Sequence, residues 1–141
     1  MFTMNNPSVY KRMTQAEREV ADELKKLGIQ WFYEHPVFVW DENKRPRVWA
    51  PDFYLVDFGI YVEVCGSEHF DYSYRKTIFQ LNGYKVIFLH VYKSREYWIH
   101  HFHKYLRLFT GFMCLKMNSV SFEEQKKEII IPREIRNNCI Y

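Results

Sequence analysis

The arrangement of strands in this chain follows from residues 48–66, which read VWAPDFYLVDFGIYVEVCG. Two runs within it, 48–56 and 60–65, are rich in β-branched and aromatic residues, which favour strands. The short stretch 57–59, Asp-Phe-Gly, separates the two runs and has the composition of a turn. The pattern therefore predicts a β-hairpin, although Asp-Phe-Gly is a weaker turn signal than Asn-Gly.

The register of this hairpin depends on its loop. If Asp57 and Phe58 form a two-residue loop, facing residues have numbers that sum to 115, and Asp52 lies opposite Glu63. Directly opposed side chains in an antiparallel pair share a face, with Cβ atoms roughly 5 Å apart. A three-residue loop through Gly59 would move the two carboxylates onto a diagonal. Either loop predicts two neighbouring acidic side chains.

The two faces of the hairpin differ in chemistry. Cys65 follows Glu63 by two residues and so shares its face. The opposite face is predicted to be core and carries Phe53, Leu55, Val62 and Val64. Like charges as close as Asp52 and Glu63 repel, and a divalent cation with oxygen ligands relieves that repulsion. The register alone therefore predicts a metal site.

The same residues resemble a nuclease signature. Pro51-Asp52, ten intervening residues and then Glu63-Val64-Cys65 are similar to the PD-(D/E)XK motif of restriction-endonuclease-like nucleases. The order of residues 63–69, Arg75 and residues 81–87 resembles the very-short-patch-repair-like branch of that superfamily. There an acidic strand end, a Gly, a His, a helix with an Arg and a Gly-led strand follow one another. The resemblance covers about residues 14–92.

The resemblance implies a fold and an activity. It implies an α/β restriction-endonuclease-like core in the order helix-strand-strand-strand-helix-strand-helix, with a mixed central sheet flanked by helices. It also implies an endonuclease that cuts DNA with Mg²⁺ or Mn²⁺, held by Asp52, Glu63 and Glu17 with the backbone carbonyl of Val64. His69 and Arg75 match further catalytic positions. Many nucleases of this fold act as homodimers, so a homodimer is possible here.

One departure from the motif leaves two functions open. Cys65 stands where the motif has a lysine, and a neutral thiol offers little to a charged transition state. Some members of the very-short-patch-repair-like branch lack this lysine, so an active nuclease remains compatible with the sequence. The alternative is a nuclease-fold module that binds DNA or a partner protein and cuts neither strand.

The composition is that of an ordinary globular chain. Its 141 residues, 48% of them hydrophobic, predict one nuclease-like domain, 1–141, with a core at about 14–109, an arm at 1–13 and an extension at 110–141. The net charge of +3 is compatible with nucleic acid as a binding partner but does not by itself indicate one. Three widely spaced cysteines form neither a disulfide framework nor a zinc motif, so we expect a cytoplasmic protein. We expect no membrane span. The 19% aromatic content also fits an enzyme with an aromatic pocket, although core packing accounts for it.

The first helix is predicted at 14–27, with Thr14 as its N-cap and Gly28 after its end. Glu17 lies on the same side of this helix as the apolar Val20 and Ala21. Two interpretations of Glu17 stay open. It is either the partner of Thr14 in a capping box or, by the family resemblance, a third acidic metal ligand, and both roles are compatible.

Further elements follow in order along the chain. A strand is predicted at 31–40 with Pro36 at an edge or bulge, a helix at 72–81, a buried strand at 84–92 parallel to its neighbour, and a helix at 95–109. In the extension, a short strand or loop at 112–117, a turn of helix at 122–128 and an edge strand at 129–131 are predicted.

Several basic residues are candidates for contact with DNA phosphates, and each is also compatible with a solvated surface. They are Lys44, Arg45 and Arg47 in a predicted turn, Lys76 near the start of a helix, and Lys104 and Arg107 on the last helix. Arg75 or Lys76 is also a candidate source of the positive charge that Cys65 lacks. His69 is either functional or a solvated loop residue. The histidines of the last helix lack the spacing of a zinc site.

Overall fold

In a computed structural model of the chain, the structure describes residues 2–3 and 7–111. The described part contains seven strands and four helices. In chain order they are β1 (Phe2–Thr3), α1 (Pro7–Arg12), α2 (Gln15–Lys26), β2 (Trp31–Tyr33), β3 (Val37–Trp40), β4 (Pro46–Trp49), β5 (Phe53–Leu55), β6 (Ile60–Cys65), α3 (Ser73–Leu81), β7 (Val86–His90) and α4 (Arg95–Thr110).

The strands form one mixed sheet and one separate hairpin. The sheet has the order β1-β2-β5-β6-β7. Its neighbours pair antiparallel except for β6 and β7, which are parallel and joined through α3. Strands β3 and β4 pair only with each other among the described residues. The predicted mixed α/β architecture, with a sheet and flanking helices, is therefore confirmed.

Apolar side chains cover both faces of the sheet. One face, with Phe53 and Val62, packs in a buried cluster that also contains Leu24 of α2 and Trp98 of α4. The other face carries Cys65, and its cluster consists of Val37, Val39, Cys65, Ile78, Phe79 and Phe88. Helix α3 and the β3–β4 hairpin supply the cover on that second face. Burial of both faces explains why β6 and β7 are almost continuously apolar.

The predicted helices are confirmed to within about one residue at most ends. Thr14 caps α2, because its Oγ1 accepts a hydrogen bond from the N–H of Glu17 at 3.2 Å. Gly28 follows the helix with φ +69°, the left-handed conformation that ends many helices. Ser94 caps α4 in the same way through the N–H of Tyr97. The predicted parallel strand is β7, shortened to Val86–His90.

Two predicted strands are wrong in extent, because each is interrupted near a proline. The predicted strand 31–40 consists of β2 and β3, with Pro36 in the gap between them. The predicted strand 48–56 breaks at Ala50-Pro51, so that its first part lies in β4 and its second in β5. Proline has no N–H for a sheet ladder, which favours a strand end at these positions. The chain between the two breaks leaves the main sheet as the β3–β4 hairpin.

The β3–β4 hairpin is held against the end of α3 by side chains. Asn82 accepts from the N–H of Trp40 at 2.8 Å and donates to its carbonyl at 2.9 Å. The hydroxyl of Tyr84 donates to the carbonyl of Phe38 at 2.8 Å. Inside the hairpin, Val37 and Val39 pack on the core, whereas the side chains of Phe38 and Trp40 are exposed. The hairpin therefore covers the sheet with one face and presents an apolar face to solvent.

The predicted N-terminal arm is wrong for residues 7–13. Residues Pro7–Arg12 form α1, and the side chains of Val9 and Met13 are buried in the cluster that contains Leu24. Residues 7–13 therefore pack on the core, whereas a loosely attached arm would make few apolar contacts. The elements predicted at 112–117, 122–128 and 129–131 lie outside the described residues.

Candidate active site

The hairpin register places the two central carboxylates as predicted. Phe53 pairs with Val62, Tyr54 with Tyr61 and Leu55 with Ile60, and each pair of numbers sums to 115. Asp52 directly precedes β5, and Glu63 follows Val62 within β6. The turn between the strands closes through the carbonyl of Leu55, which accepts from the N–H groups of Phe58 and Gly59. Asp52 and Glu63 are therefore neighbours across the end of the hairpin.

Asp52 is fixed by its backbone and by its side chain. Its carbonyl accepts from the N–H of Glu34 at 3.0 Å. Its Oδ2 accepts from the N–H of Val64 at 2.7 Å. The N–H and carbonyl of one strand residue point to the same side of the strand. The carbonyl of Val64 therefore points toward the Asp52 side of β6, where the resemblance places it as a metal ligand.

Burial and nearby negative charges oppose ionisation of both carboxyls. Burial, followed by the negative charges of Glu63 and Glu17, raises the pKa of Asp52 to about 8, although the N–H of Val64 acts in the opposite direction. Glu63 is only 7% exposed. Burial raises the pKa of Glu63 as well, with Arg75 opposing the shift and Glu17 adding to it. A cation near the pair would stabilise its ionised form.

Arg75 supplies a positive charge beside this pair. Its Nη2 donates to Oε1 of Glu63 at 2.7 Å. Its guanidinium carbon lies 4.6 Å from the ring centroid of Trp49 and 5.3 Å from that of Phe79, in cation–π geometry. Helix α3 and strand β4 thus orient one arginine toward the end of β6. The sequence indicated Arg75 but not Trp49, since nothing in the pattern shows that β4 leaves the main sheet and covers α3.

Glu17 lies close enough to raise the pKa values of Asp52 and Glu63, but it is bound to a different group. Its Oε2 accepts from the hydroxyl of Tyr33 at 2.5 Å. In residues 2–3 and 7–111, no group of three or more His, Cys, Asp or Glu side chains is arranged to hold a metal ion. The structure therefore brings Asp52 and Glu63 together. Glu17 acts on them through its charge but is hydrogen-bonded to Tyr33. Tyr33 was not indicated by the sequence, because only the pairing of β2 with β5 brings it to this site.

Cys65 does not belong to the polar part of the site. It lies on the same face of β6 as Glu63, as predicted, but that face becomes core at this point, and its side chain is 0% exposed. Burial, with smaller contributions from Glu63 and Asp52, raises the pKa of the thiol to about 12. The thiol is therefore protonated at neutral pH and serves as a packing group beside Ile78 and Phe79.

His69 lies on the loop after β6 and points to solvent. Its side chain is 88% exposed and its Nε2 lies 3.7 Å from Oε1 of Glu68. Among the described residues it makes no hydrogen bond with Asp52 or Glu63. His69 therefore follows β6 closely in the sequence, but its side chain does not contact the acidic pair.

The predicted phosphate-binding residues lie at the surface in separate groups. Lys44 and Arg45 are exposed at the turn of the β3–β4 hairpin, and Arg47 forms an ion pair with Asp41 at 3.1 Å. Lys76 is exposed on α3 and Lys104 on α4, whereas Arg107 of α4 is half-buried. The first group shares its hairpin with Trp49, the residue under Arg75.

Comparison with protein-family models, curated proteins and solved structures finds no match for this chain. In the described residues, no helix is both long and apolar enough to cross a membrane. The arrangement itself offers a buried carboxylate (Glu63) beside a half-buried one (Asp52), one arginine bound to Glu63, and a backbone carbonyl on the same side.

Proposed function

We propose that this protein is a metal-dependent DNA endonuclease with a restriction-endonuclease-like core. The observation that carries the proposal is the pairing of Asp52 with Glu63 at the end of the β5–β6 hairpin, with Arg75 bound to Glu63. The order α2-β2-β5-β6-α3-β7-α4, with β3–β4 inserted, supports the proposed core. A homodimer and a cytoplasmic location remain predictions from the sequence.

The acidic pair fits Mg²⁺ or Mn²⁺ by its donor set. Both ions prefer oxygen ligands, and a magnesium site typically takes one or two carboxylates and completes its shell with water and phosphate. Within the described part of the chain, Oδ1 of Asp52 and Oε2 of Glu63 accept no hydrogen bond, so each carboxylate retains an oxygen for a cation. These two oxygens and the carbonyl of Val64 would hold the ion. A bound divalent ion polarises the phosphate and lowers the pKa of a water molecule.

The remaining residues of the site have separate proposed roles. Asp52 is held rigidly by Val64 and Glu34, which keeps its carboxylate in position for the ion. Arg75 donates to Glu63 and stabilises negative charge on the phosphate as the bond breaks. Glu17 adds negative charge beside the pair and so strengthens cation binding.

The proposed DNA contacts extend from the acidic pair over the surface. Lys44, Arg45 and Arg47 bind phosphates on the side of the β3–β4 hairpin. Lys76, Lys104 and Arg107 are proposed as further backbone contacts on α3 and α4. His69 contacts a phosphate or water from its exposed loop once DNA is bound.

The test is cleavage of supercoiled plasmid and of branched oligonucleotides with Mg²⁺ or Mn²⁺, with EDTA as control. We expect metal-dependent nicking by the native protein and none by Asp52→Ala, with both proteins giving the same circular dichroism spectrum. Cleavage at the native rate by a folded Asp52→Ala protein would overturn the proposal.

A second candidate function is binding of DNA or of a partner protein without cleavage. Three observations favour it. Cys65, in the position of the motif lysine, is buried and uncharged, and Arg75 already neutralises one of the two carboxylates. In addition, the outer face of the β3–β4 hairpin exposes Phe38, Trp40 and Val48, by 75%, 61% and 61%, beside the basic turn. Electrophoretic mobility shift without any metal-dependent nicking would select this DNA-binding function.

A further inference from the structure

A cavity lies along β7, the last strand in the order of the described sheet, apart from the acidic pair. It has a volume of about 330 Å³ and opens between α3 and α4 beside β7. Its walls include Phe70, Tyr72, Lys76, His90, His101 and Tyr105. This volume lies within the range of small-molecule sites, roughly 300–1,000 Å³. The cavity neighbours the candidate active site through the sheet, because His90 of β7 is the register partner of Cys65 in β6.

Flat aromatic groups form much of the wall. The rings of Phe70 and Tyr72 lie with centroids 4.6 Å apart, and those of His101 and Tyr105 lie 4.4 Å apart. Tyr72 also meets the ring of His90 edge-to-face at 5.9 Å. Aromatic side chains of this kind stack on nucleic-acid bases with little dependence on sequence.

The two imidazoles give this aromatic cavity a neutral polar lining. Burial lowers the pKa of His101 to about 4, with His90 and three nearby lysines adding to the effect. Burial and nearby lysines also lower the pKa of His90, whose Nδ1 lies 2.9 Å from the hydroxyl of Tyr92. A neutral imidazole carries one donor and one acceptor, which suits the edge of a heterocycle better than it suits an anion.

The charge at the cavity favours a ligand with one anionic group. Lys76 lines the wall and is exposed. The acidic residue in the lining, Asp71, already accepts from the N–H of Ser73 at 2.9 Å through Oδ1. A ligand with a flat polar ring and an attached phosphate matches the aromatic groups, the neutral imidazoles and the lysine together.

We propose that this cavity binds a single unstacked nucleotide, with its base among Tyr72, His101 and Tyr105 and its phosphate at Lys76. The inference rests on the proposed function, because the nucleotide would belong to the DNA that the active site cuts. Enzymes that act within a duplex gain selectivity from sites that accept an extruded base, since damaged or unpaired bases unstack most readily. The cavity thereby favours DNA with an unpaired or displaced nucleotide over a regular duplex.

The test measures binding of the four deoxynucleoside monophosphates to the native protein, by calorimetry and by chemical-shift changes of the His90 and His101 rings. Two controls each lack one part of the nucleotide: deoxyribose 5-phosphate has no base, and the free nucleosides have no phosphate. We expect millimolar binding of the monophosphates, and weakening of roughly tenfold in His101→Ala and in Lys76→Glu, the loss expected for one stacked base or one phosphate contact. The matched controls His100→Ala, on an exposed part of α4, and Lys25→Glu, on α2, should bind as the native protein does.

Several outcomes would overturn this inference. They are the absence of monophosphate binding in the millimolar range, equal binding of deoxyribose 5-phosphate, and unchanged binding in folded His101→Ala and Lys76→Glu proteins. Plasmid nicking by the same samples separates this failure from failure of the proposed function. If the native protein nicks plasmid in a way that depends on Asp52 but binds no monophosphate, only the nucleotide-pocket proposal is contradicted. If monophosphate binding depends on His101 but no nicking occurs, the nucleotide pocket is supported and the proposed nuclease activity is contradicted.

Discussion

Arg75 and Glu63 form the most buried ion pair at the candidate site, with Nη2 of the arginine 2.7 Å from Oε1 of the glutamate. The side chains are 27% and 9% exposed. Trp49 lies under the guanidinium, so the arginine is held from two sides. Burial raises the pKa of the Glu63 carboxyl, and the arginine opposes that shift and so favours the ionised form.

Removal of this arginine should damage both folding and cleavage. In Arg75→Ala, Glu63 would be left buried without a partner, and we expect a loss of about 3 kcal/mol in the free energy of unfolding. Nicking should also disappear, since the charge that stabilises the phosphate is lost. The matched control is Arg95→Ala, which breaks the more exposed ion pair with Glu23 and should cost no more than about 1 kcal/mol. Equal denaturation midpoints for the two variants would contradict this view of Arg75.

The pKa of Asp52 predicts how stability changes with pH in EDTA. Its unfolded value is about 3.9, and its folded value is raised to about 8. The folded state therefore binds the proton more tightly, so this contribution to stability is full below pH 4 and is lost as the pH rises through 8. Asp52→Asn stays neutral and keeps an oxygen to accept from Val64. At pH 8 it should be more stable than the native protein by at least about 1 kcal/mol.

Urea denaturation at pH 5 and pH 8 checks this prediction. The native protein should lose stability relative to Asp52→Asn between the two pH values, and excess Mg²⁺ at pH 8 should restore it by binding the folded state. A constant difference between native and variant proteins at both pH values would contradict the raised pKa.

Substitution of Glu17 tests its role beside the metal site. Glu17→Gln keeps an oxygen to accept from Tyr33 but removes one negative charge near Asp52 and Glu63. We expect the rate of nicking at limiting Mg²⁺ to fall by roughly tenfold, the loss typical of residues that support metal ligands without binding the metal themselves. The matched control is Glu19→Gln on the same helix, which should cut at the native rate. If Glu17→Gln also cuts at the native rate, Glu17 is only a structural partner of Tyr33.

Cys65 should tolerate an apolar residue but not the lysine of the motif. In Cys65→Lys an amine would enter the cluster that contains Ile78 and Phe79, and we expect a loss of more than about 3 kcal/mol. Cys65→Ala should cost about 1–2 kcal/mol and keep the nicking activity. Thermal unfolding of both variants checks the difference. A stable Cys65→Lys protein with increased nicking would show instead that the lysine position faces the active site.

Local sequence patterns were sufficient to predict the centre of this fold. The turn consists of residues 56–59 and not of the two-residue loop Asp57-Phe58, but β5 and β6 pair in the predicted register. A period of two then places Asp52 beside Glu63 and Cys65 on the same face. Helix α2 was likewise predictable, since Thr14 and Gly28 mark its two ends. In each case the deciding interactions join residues close together in the chain.

The rest depended on contacts between distant residues. A run rich in β-branched and aromatic residues at 48–56 does not show that Pro51 ends one strand and lets β4 leave the sheet. The contact of Trp49 with Arg75 and the bond of Tyr33 to Glu17 appear only after β2, β4 and α3 are placed. For the same reason, the face shared by Glu63 and Cys65 changes from polar site to core within two residues.

Binding of Mn²⁺ to the native protein and to Asp52→Asn, followed by electron paramagnetic resonance of the free ion, tests the central claim most directly. It measures the metal site without relying on the correct choice of DNA. We predict saturable Mn²⁺ binding by the native protein, competition by Mg²⁺, and loss of that binding in a folded Asp52→Asn protein. The absence of Mn²⁺ binding by the native protein, or equal binding by the variant, would contradict a metal site at Asp52 and Glu63.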